Sequence, residues 1–180
     1  MIKLHLGCGK KFLDGWINID KVPQLPDVIE DDVSILENIQ DGTVDTIYAC
    51  HVLEHFGRHE VENVLKCWSK KLKSGGKIRI AVPDFEAVCK RYMEKKDIRE
   101  LIGFTSGGQK NEYDYHKMIF DFESLSLLLQ KAEFEQISRY DWRETDHAFL
   151  DDYSQSYLPH MQKDSGRLMS LNIEATKRNL

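Results

Sequence analysis

Apolar residues along this chain come in short runs separated by polar turns. Lys3–Leu6 reads as a first strand, and Gly15-Trp16-Ile17-Asn18-Ile19-Asp20 as a turn leading into a second. Residues 27–30 form a third, followed by Asp31-Asp32, and 44–49 a mostly apolar fourth of the kind that parallel sheets bury. The period then changes to 3.6. Val61, Val64, Leu65, Trp68 and Leu72 share one face of a predicted helix over 58–72. Lys73-Ser74-Gly75-Gly76 stops it, with glycine where a left-handed cap is wanted. Residues 77–82 are a fifth strand, and Pro83-Asp84 starts a helix with Phe85, Val88, Cys89 and Tyr92 inward. The polar, glycine-containing stretch 103–118 reads as a loop. Asp121 caps a helix carrying Leu125, Leu128, Leu129 and Ala132. Residues 134–140 and 167–176 are the last two strands, joined by a long connection over 141–166.

Strands alternating with helices predict an α/β fold with a doubly wound, mostly parallel sheet. Two late strands with no helix between them predict an antiparallel finish. No internal repeat, low-complexity tract or interdomain linker breaks the pattern, so 1–180 is expected to be one domain.

Composition narrows the class. A chain of 180 residues with 41% hydrophobic and 10% aromatic content suits a globular protein, and no apolar stretch approaches the ~20 residues of a membrane span. Met1-Ile2-Lys3 runs straight into the first strand, so no signal peptide is expected. Cys8, Cys50, Cys67 and Cys89 show no paired spacing and read as reduced thiols, giving a cytoplasmic expectation. A formal net charge of −5 disfavours nucleic acid as a partner, because phosphate binding wants a basic face.

The candidate chemistry starts at Leu4-His5-Leu6-Gly7-Cys8-Gly9. A hydrophobic strand running into Gly-x-Gly lets the backbone approach a ligand at the carboxyl end of the strand, where open α/β sheets bind ligands. Asp20, eleven residues after Gly9, ends the next strand, where a carboxylate can accept hydrogen bonds from two ribose hydroxyls. A dinucleotide is disfavoured: Phe12 stands where a third small residue is needed, and the gap is shorter than a crossover helix requires. No Gly-Lys-Ser/Thr follows, so a Walker A loop is absent.

The Leu-Gly-Cys-Gly turn resembles motif I of S-adenosylmethionine (SAM)-dependent methyltransferases. Further segments resemble the small methyltransferase-11-like members of class I: Gly-Trp-Ile-Asn-Ile-Asp (15–20), Ile-Tyr-Ala-Cys-His-Val-Leu-Glu-His-Phe (47–56), Leu-Lys-Ser-Gly-Gly-Lys-Ile-Arg-Ile-Ala-Val-Pro-Asp (72–84), Tyr-Asp-Tyr-His-Lys (113–117) and Ser-Leu-Asn-Ile-Glu-Ala (170–175). The resemblance implies a Rossmann-like sheet of seven strands with the last antiparallel, and SAM as cofactor. It puts Gly7, Cys8 and Gly9 under the cofactor, Asp20 on the ribose and Asp32 on the adenine, with Asp31 the alternative. Cys50 and His51 fall near the methionine end. The chain departs from the family in its first helix, since Lys10-Lys11-Phe12-Leu13-Asp14 allows one turn at most.

His51-Val52-Leu53-Glu54-His55 also spells the His-x-x-Glu-His of inverzincin proteases, but that motif needs a helix, and His51 is expected at a strand exit. Some methyltransferases hold a divalent ion with Glu-x-x-Glu-His at this place, with His51 here replacing the first Glu. The preferred reading has Glu54 and His55 capping and packing the following helix, His51 lining the cofactor pocket, and no metal. In the loop, His116 is the candidate general base and Tyr115 the residue that positions the acceptor, with His51 beside them. The fourth strand is not followed by Asn/Asp-Pro-Pro-Tyr/Phe, the exocyclic-amine signature of nucleobase methyltransferases. The expected acceptor is therefore a hydroxyl of a small molecule, glycan or nucleotide-sugar. A non-catalytic SAM- or nucleotide-binding regulatory module is the alternative. The sequence leaves the oligomeric state open.

Overall fold

A computed structural model describes residues 1–160 and 162–179. Seven strands form the main sheet: β1 (Lys3–Leu6), β2 (Ile17–Asp20), β3 (Ile29–Glu30), β4 (Val44–Cys50), β5 (Leu72–Pro83), β6 (Phe134–Arg139) and, last in sequence, β9 (Ser170–Lys177). Their order is β3-β2-β1-β4-β5-β9-β6. β1 pairs in parallel with β2 on one side and β4 on the other, so the chain reverses its winding direction there. β4 and β5 are parallel, whereas β9 runs antiparallel to both β5 and β6. This is the expected α/β Rossmann-like sheet with its antiparallel finish.

Helix α1 (Val61–Lys71) buries Val61, Val64, Leu65 and Trp68 against the sheet, and the Trp68 indole donates to the Val33 carbonyl at 2.7 Å. Leu72 is already extended, and β5 begins there, five residues earlier than the pattern suggested. Residues 73–76 bulge out between the pairs Val44↔Leu72 and Thr46↔Lys77. Gly75, at φ +73°, turns that bulge and does not cap the helix.

Helix α2 (Phe85–Lys95) starts on Asp84, whose carboxylate accepts from the amides of Glu86 and Ala87. Its inner stripe is Ala87, Val88 and Arg91, one position off the expected Phe85/Val88/Cys89/Tyr92, which share only Val88 with it. The register is set by the cap and by Arg91, which forks onto Glu100 at 2.6 and 3.0 Å. The loop over 103–118 contains the short helix α3 (Ile102–Ser106). Helix α4 (Phe122–Lys131) has the expected Asp121 cap, reciprocated by Ser124, and buries Leu125 and Leu129.

The long connection folds into single 3₁₀ turns at Trp142–Glu144 and Tyr153–Gln155 and a two-strand ribbon of β7 (Tyr157–Leu158) and β8 (Arg167–Leu168). The last strand is thus split at Met169. Among the described residues no helix is long and apolar enough to cross a membrane.

Candidate active site

All the candidate cofactor residues stand at the carboxyl ends of β1 to β4. Gly7 leaves β1 at φ +61°, and its amide donates to the Ile19 carbonyl of β2 at 2.8 Å. A Cβ on Gly7 would lie 2.4 Å from Cγ2 of Val52, so the turn packs against the segment leaving β4 with no room for a side chain. Gly9, at φ +53°, is different, because a Cβ there would meet nothing within 4 Å. Gly7 therefore serves the packing, whereas the space above Gly9 is open. The Gly9 amide donates to Asp20 Oδ2 at 2.8 Å, and the Val22 amide to Oδ1 at 2.9 Å. Both carboxylate oxygens are thus fixed by the backbone, and each keeps a lone pair for a hydroxyl. The donor set and the open space above Gly9 fit the ribose of a SAM-type ligand.

The missing first helix is replaced by a side chain. Buried Asn18 accepts from the Leu13 amide at 2.9 Å and donates to the carbonyls of Leu13 (2.9 Å) and Trp16 (3.1 Å). Its Oδ1 also lies 3.0 Å from His5 Nδ1. The loop after the glycines is therefore held as if by a helix. His5 is buried, and that burial pulls its pKa down.

Asp32 follows β3, with Oδ1 accepting from the Ser34 amide and hydroxyl and Oδ2 pairing with Lys21 at 2.9 Å. Partial burial pushes its pKa up, but Ser34 and Lys21 outweigh it and hold the carboxyl below its ordinary range. Lys21 also lies over the Tyr113 ring at 5.6 Å, so the 103–118 loop reaches the β2–β3 corner. Asp31 accepts only from the Asn38 amide, at 3.4 Å. Cys8 is buried, and burial with the neighbouring Asp20 pushes its thiol up to about 12. Burial, with Asp152 nearby, likewise raises Cys50 well above the usual thiol range. Both thiols are neutral packing groups at pH 7.

His51 leaves β4 at φ +54°, a left-handed conformation that a non-glycine residue adopts at a cost of about 1–3 kcal/mol. Its amide donates to Ala81 of β5 at 2.8 Å, and its ring lies 5.0 Å from that of Tyr153. The residues after it form one 3₁₀ turn, Leu53–His55, and α1 begins only at Val61. Glu54 and His55 therefore do not cap that helix. Glu60 fills the turn before it, accepting from the Gly57 amide at 2.7 Å.

Glu54 is instead 0% exposed. His51 Nδ1 lies 3.0 Å from Glu54 Oε1, yet neither carboxylate oxygen has a hydrogen bond of good geometry, and His51 Nε2 is also buried without a partner. Burial pushes the Glu54 pKa up, but the adjacent His51 and His55 outweigh it, so the carboxyl stays ionised.

The Glu54 carbonyl receives the amides of Lys117 (2.8 Å) and Met118 (3.1 Å), which docks the loop onto this turn. His116 is thereby brought to the cluster, with Nε2 3.8 Å from Glu54 Oε1 and its ring 5.0 Å from that of His55. Burial lowers its pKa. Gly107, at φ +79°, passes so close that a Cβ would lie 2.2 Å from the Asp114 carbonyl. It serves close packing. The Tyr115 side chain is 46% exposed, while its carbonyl meets His55 Nδ1 at 3.1 Å.

The structure thus joins His51 and His116 and keeps Gly7, Gly9 and Asp20 together, but separates Tyr115 from the cluster's interior. The part of Glu54 as the cluster's buried carboxylate was not legible, because a glutamate after a strand normally points to water. His147 is buried, its ring stacked 3.9 Å from that of Tyr48. A groove of about 480 Å³ runs against Ser34, Lys66, Cys67 and Lys70.

Residues 16–80 match the methyltransferase-11 family, described as a methyltransferase domain. That segment runs from just after the glycine turn into β5. No curated protein matches the sequence. Among solved structures, the chain superposes on a SAM-dependent methyltransferase, possible histamine N-methyltransferase, from Thermotoga maritima with a TM-score of 0.62 at 16% identity, covering 98% of this chain and 82% of that one. A SAM-dependent methyltransferase from Archaeoglobus fulgidus gives 0.58 at 15% identity, over 97% and 85%. The Burkholderia thailandensis 1,6-didemethyltoxoflavin-N1-methyltransferase, bound to that acceptor and S-adenosylhomocysteine, gives 0.59 at 15% identity, over 99% and 71%. Residues 16–80 thus carry a methyltransferase-domain match, and the chain as a whole carries the fold of SAM-dependent methyltransferases.

Proposed function

We propose that this enzyme methylates a hydroxyl of a small molecule, glycan or nucleotide-sugar. The observation that carries the cofactor half is the Gly9–Asp20 pair, an open glycine floor beside a backbone-fixed carboxylate. When bound, SAM supplies a methyl group already activated on a sulfonium. The chain's own residues have three tasks. Asp20 accepts from the ribose hydroxyls, Asp32 stands at the adenine end, and Cys8, Cys50 and His51 line the floor toward the methionine end. In-line attack then needs only an aligned acceptor and a place for its proton.

A hydroxyl acceptor is favoured by what stands at the exit of β4. Cys50-His51-Val52-Leu53 offers imidazole where an amine-directed Asn/Asp-Pro-Pro-Tyr/Phe would stand. His116 donates Nδ1–H to the Phe104 carbonyl at 3.1 Å, which leaves Nε2 as its basic atom. Tyr115, on the outer side of the loop, positions the acceptor. The net charge of −5 fits an uncharged or sugar-like acceptor better than a polyanion. The Burkholderia thailandensis neighbour acts on a small molecule, which agrees in size class, although its acceptor atom is nitrogen.

Calorimetry with S-adenosylhomocysteine tests the cofactor half. Asp20→Ala should weaken binding by about 1–3 kcal/mol, the cost of leaving hydroxyls unpaired. Equal affinity in that variant removes Asp20 from the site. A screen of hydroxylated and amine acceptors tests the other half, and turnover confined to amines refutes the hydroxyl reading.

A further inference from the structure

We propose that Glu54, His55 and His116 form a binding site for one divalent transition-metal ion. The ligand atoms these residues offer all lie within 4.8 Å of one another. His55 and His116 are 61 residues apart in sequence, brought together only when the loop docks on the Glu54 carbonyl.

The two imidazoles are already set in the state a metal needs. His55 Nδ1 lies 3.1 Å from the Tyr115 carbonyl, and His116 Nδ1 lies 3.1 Å from the Phe104 carbonyl. A carbonyl can only accept, so each ring carries its proton on Nδ1 and presents a bare Nε2. Anchoring the far nitrogen on a carbonyl is how metal-binding histidines are oriented. The rings meet edge to face, at 76°.

The second observation is the carboxylate. Glu54 is 0% exposed and neither oxygen has a hydrogen-bond partner. A buried carboxylate whose one close neighbour, the His51 ring at 3.0 Å, is poorly aligned is under-satisfied, and a cation is a partner the geometry accommodates. His51 stands on the other side of Glu54 Oε1, at 3.0 Å, in place to orient the carboxylate from outside the ligand set. An ion ~2.1 Å from each ligand sets neighbouring ligand atoms roughly 3–3.5 Å apart. His116 Nε2 and Glu54 Oε1, at 3.8 Å, need a few tenths of an ångström of rotamer movement.

Two imidazoles and one carboxylate suit Zn²⁺, Fe²⁺, Co²⁺ or Mn²⁺ better than Ca²⁺ or Mg²⁺, which prefer all-oxygen sets. Three protein ligands leave open positions for an oxygen donor. On the reading above, and resting on it, that donor is the acceptor hydroxyl, whose pKa a bound cation lowers. His116 then acts through the ion and not as a free base.

The test is titration of chelator-treated full-length protein with Co²⁺, followed by calorimetry and by its visible absorption. The expected result is one ion per chain, with ligand-field bands free of thiolate charge transfer. His55→Ala, His116→Ala and Glu54→Gln should each weaken binding by at least the roughly 100-fold that losing even an outer-shell partner can cost. Asp20→Ala should lose S-adenosylhomocysteine and keep Co²⁺, which separates a failed cofactor reading from a failed metal site. Absence of saturable Co²⁺ binding by the native protein overturns the proposal. So does binding that is equally tight in folded His116→Ala, or whose spectrum shows thiolate ligands. If Glu54→Gln does not fold, the native spectrum and the loop variant His116→Ala still decide it.

Discussion

Gly7 and Gly9 are two residues apart, share a left-handed backbone and differ in one respect, and alanine at each position separates packing from ligand space. Gly7→Ala adds two costs. A non-glycine residue at φ +61° costs about 1–2 kcal/mol in backbone strain. The new methyl also lands 2.4 Å from Val52 Cγ2, in a site where both neighbours are fixed by strand ends, and overpacking of this sort costs about 1–3 kcal/mol. The sum is about 2–5 kcal/mol. Gly9→Ala carries only the strain, about 1–2 kcal/mol, because nothing lies within 4 Å of its Cβ. Urea unfolding followed by tryptophan fluorescence measures both, and an unchanged m-value shows that the native state alone was affected. S-adenosylhomocysteine affinity should respond in the opposite order. Gly9→Ala places a methyl group in the ligand space and should bind at least as poorly as the less stable Gly7→Ala. A double variant, Gly7→Ala with Val52→Ala, should recover the steric part and show a coupling of about 1–2 kcal/mol. A Gly7→Ala cost no greater than that of Gly9→Ala, or no relief from Val52→Ala, refutes the steric contact as the cause.

Other consequences can be measured separately. Asn18→Ala strands the Leu13 amide and two carbonyls, and should destabilise the protein by about 2–4 kcal/mol; a cost below 1 kcal/mol on urea unfolding shows that the loop does not depend on it. Gly107→Ala drives a Cβ into the Asp114 carbonyl and the His116 amide, so hydrogen exchange should rise across 103–118 while β1 to β5 stay protected; unchanged exchange there contradicts the docking described. His147 has its pKa held down to about 4 by burial, with Arg79 adding to it. The unfolded chain then binds a proton that the folded one refuses between pH 6.5 and about 4, so this contribution is complete above pH 6.5 and is lost as pH falls. Up to about 3 kcal/mol of the native protein's loss between pH 7.5 and 4.5 should vanish in His147→Gln; parallel pH curves for the two proteins refute it.

The sequence alone determined what depends on local order. Periodicity gave β1, β2, β4, α1 and α4, because a strand alternates and a helix repeats whatever packs on it later. The Asp121 cap and the antiparallel finish were legible for the same reason. Asp20 at a strand end and glycines at a turn are short-range relations, and the fold left them where the spacing put them. What tertiary structure decided is everything that rests on a partner distant in sequence. The inner stripe of α2 moved by one residue because Arg91 found Glu100 and Asp84 took the cap. β5 started early because a bulge opposite Asp45 absorbed residues that look like a helix stop. Asn18 stands in for a helix through hydrogen bonds to backbone groups that no pattern marks. Glu54 and His55 read as the start of a helix, and became the core of a cluster only because the loop docks His116 beside them. Burial leaves the Glu54 carboxylate without a hydrogen bond of good geometry, and burial is a property of the assembled chain.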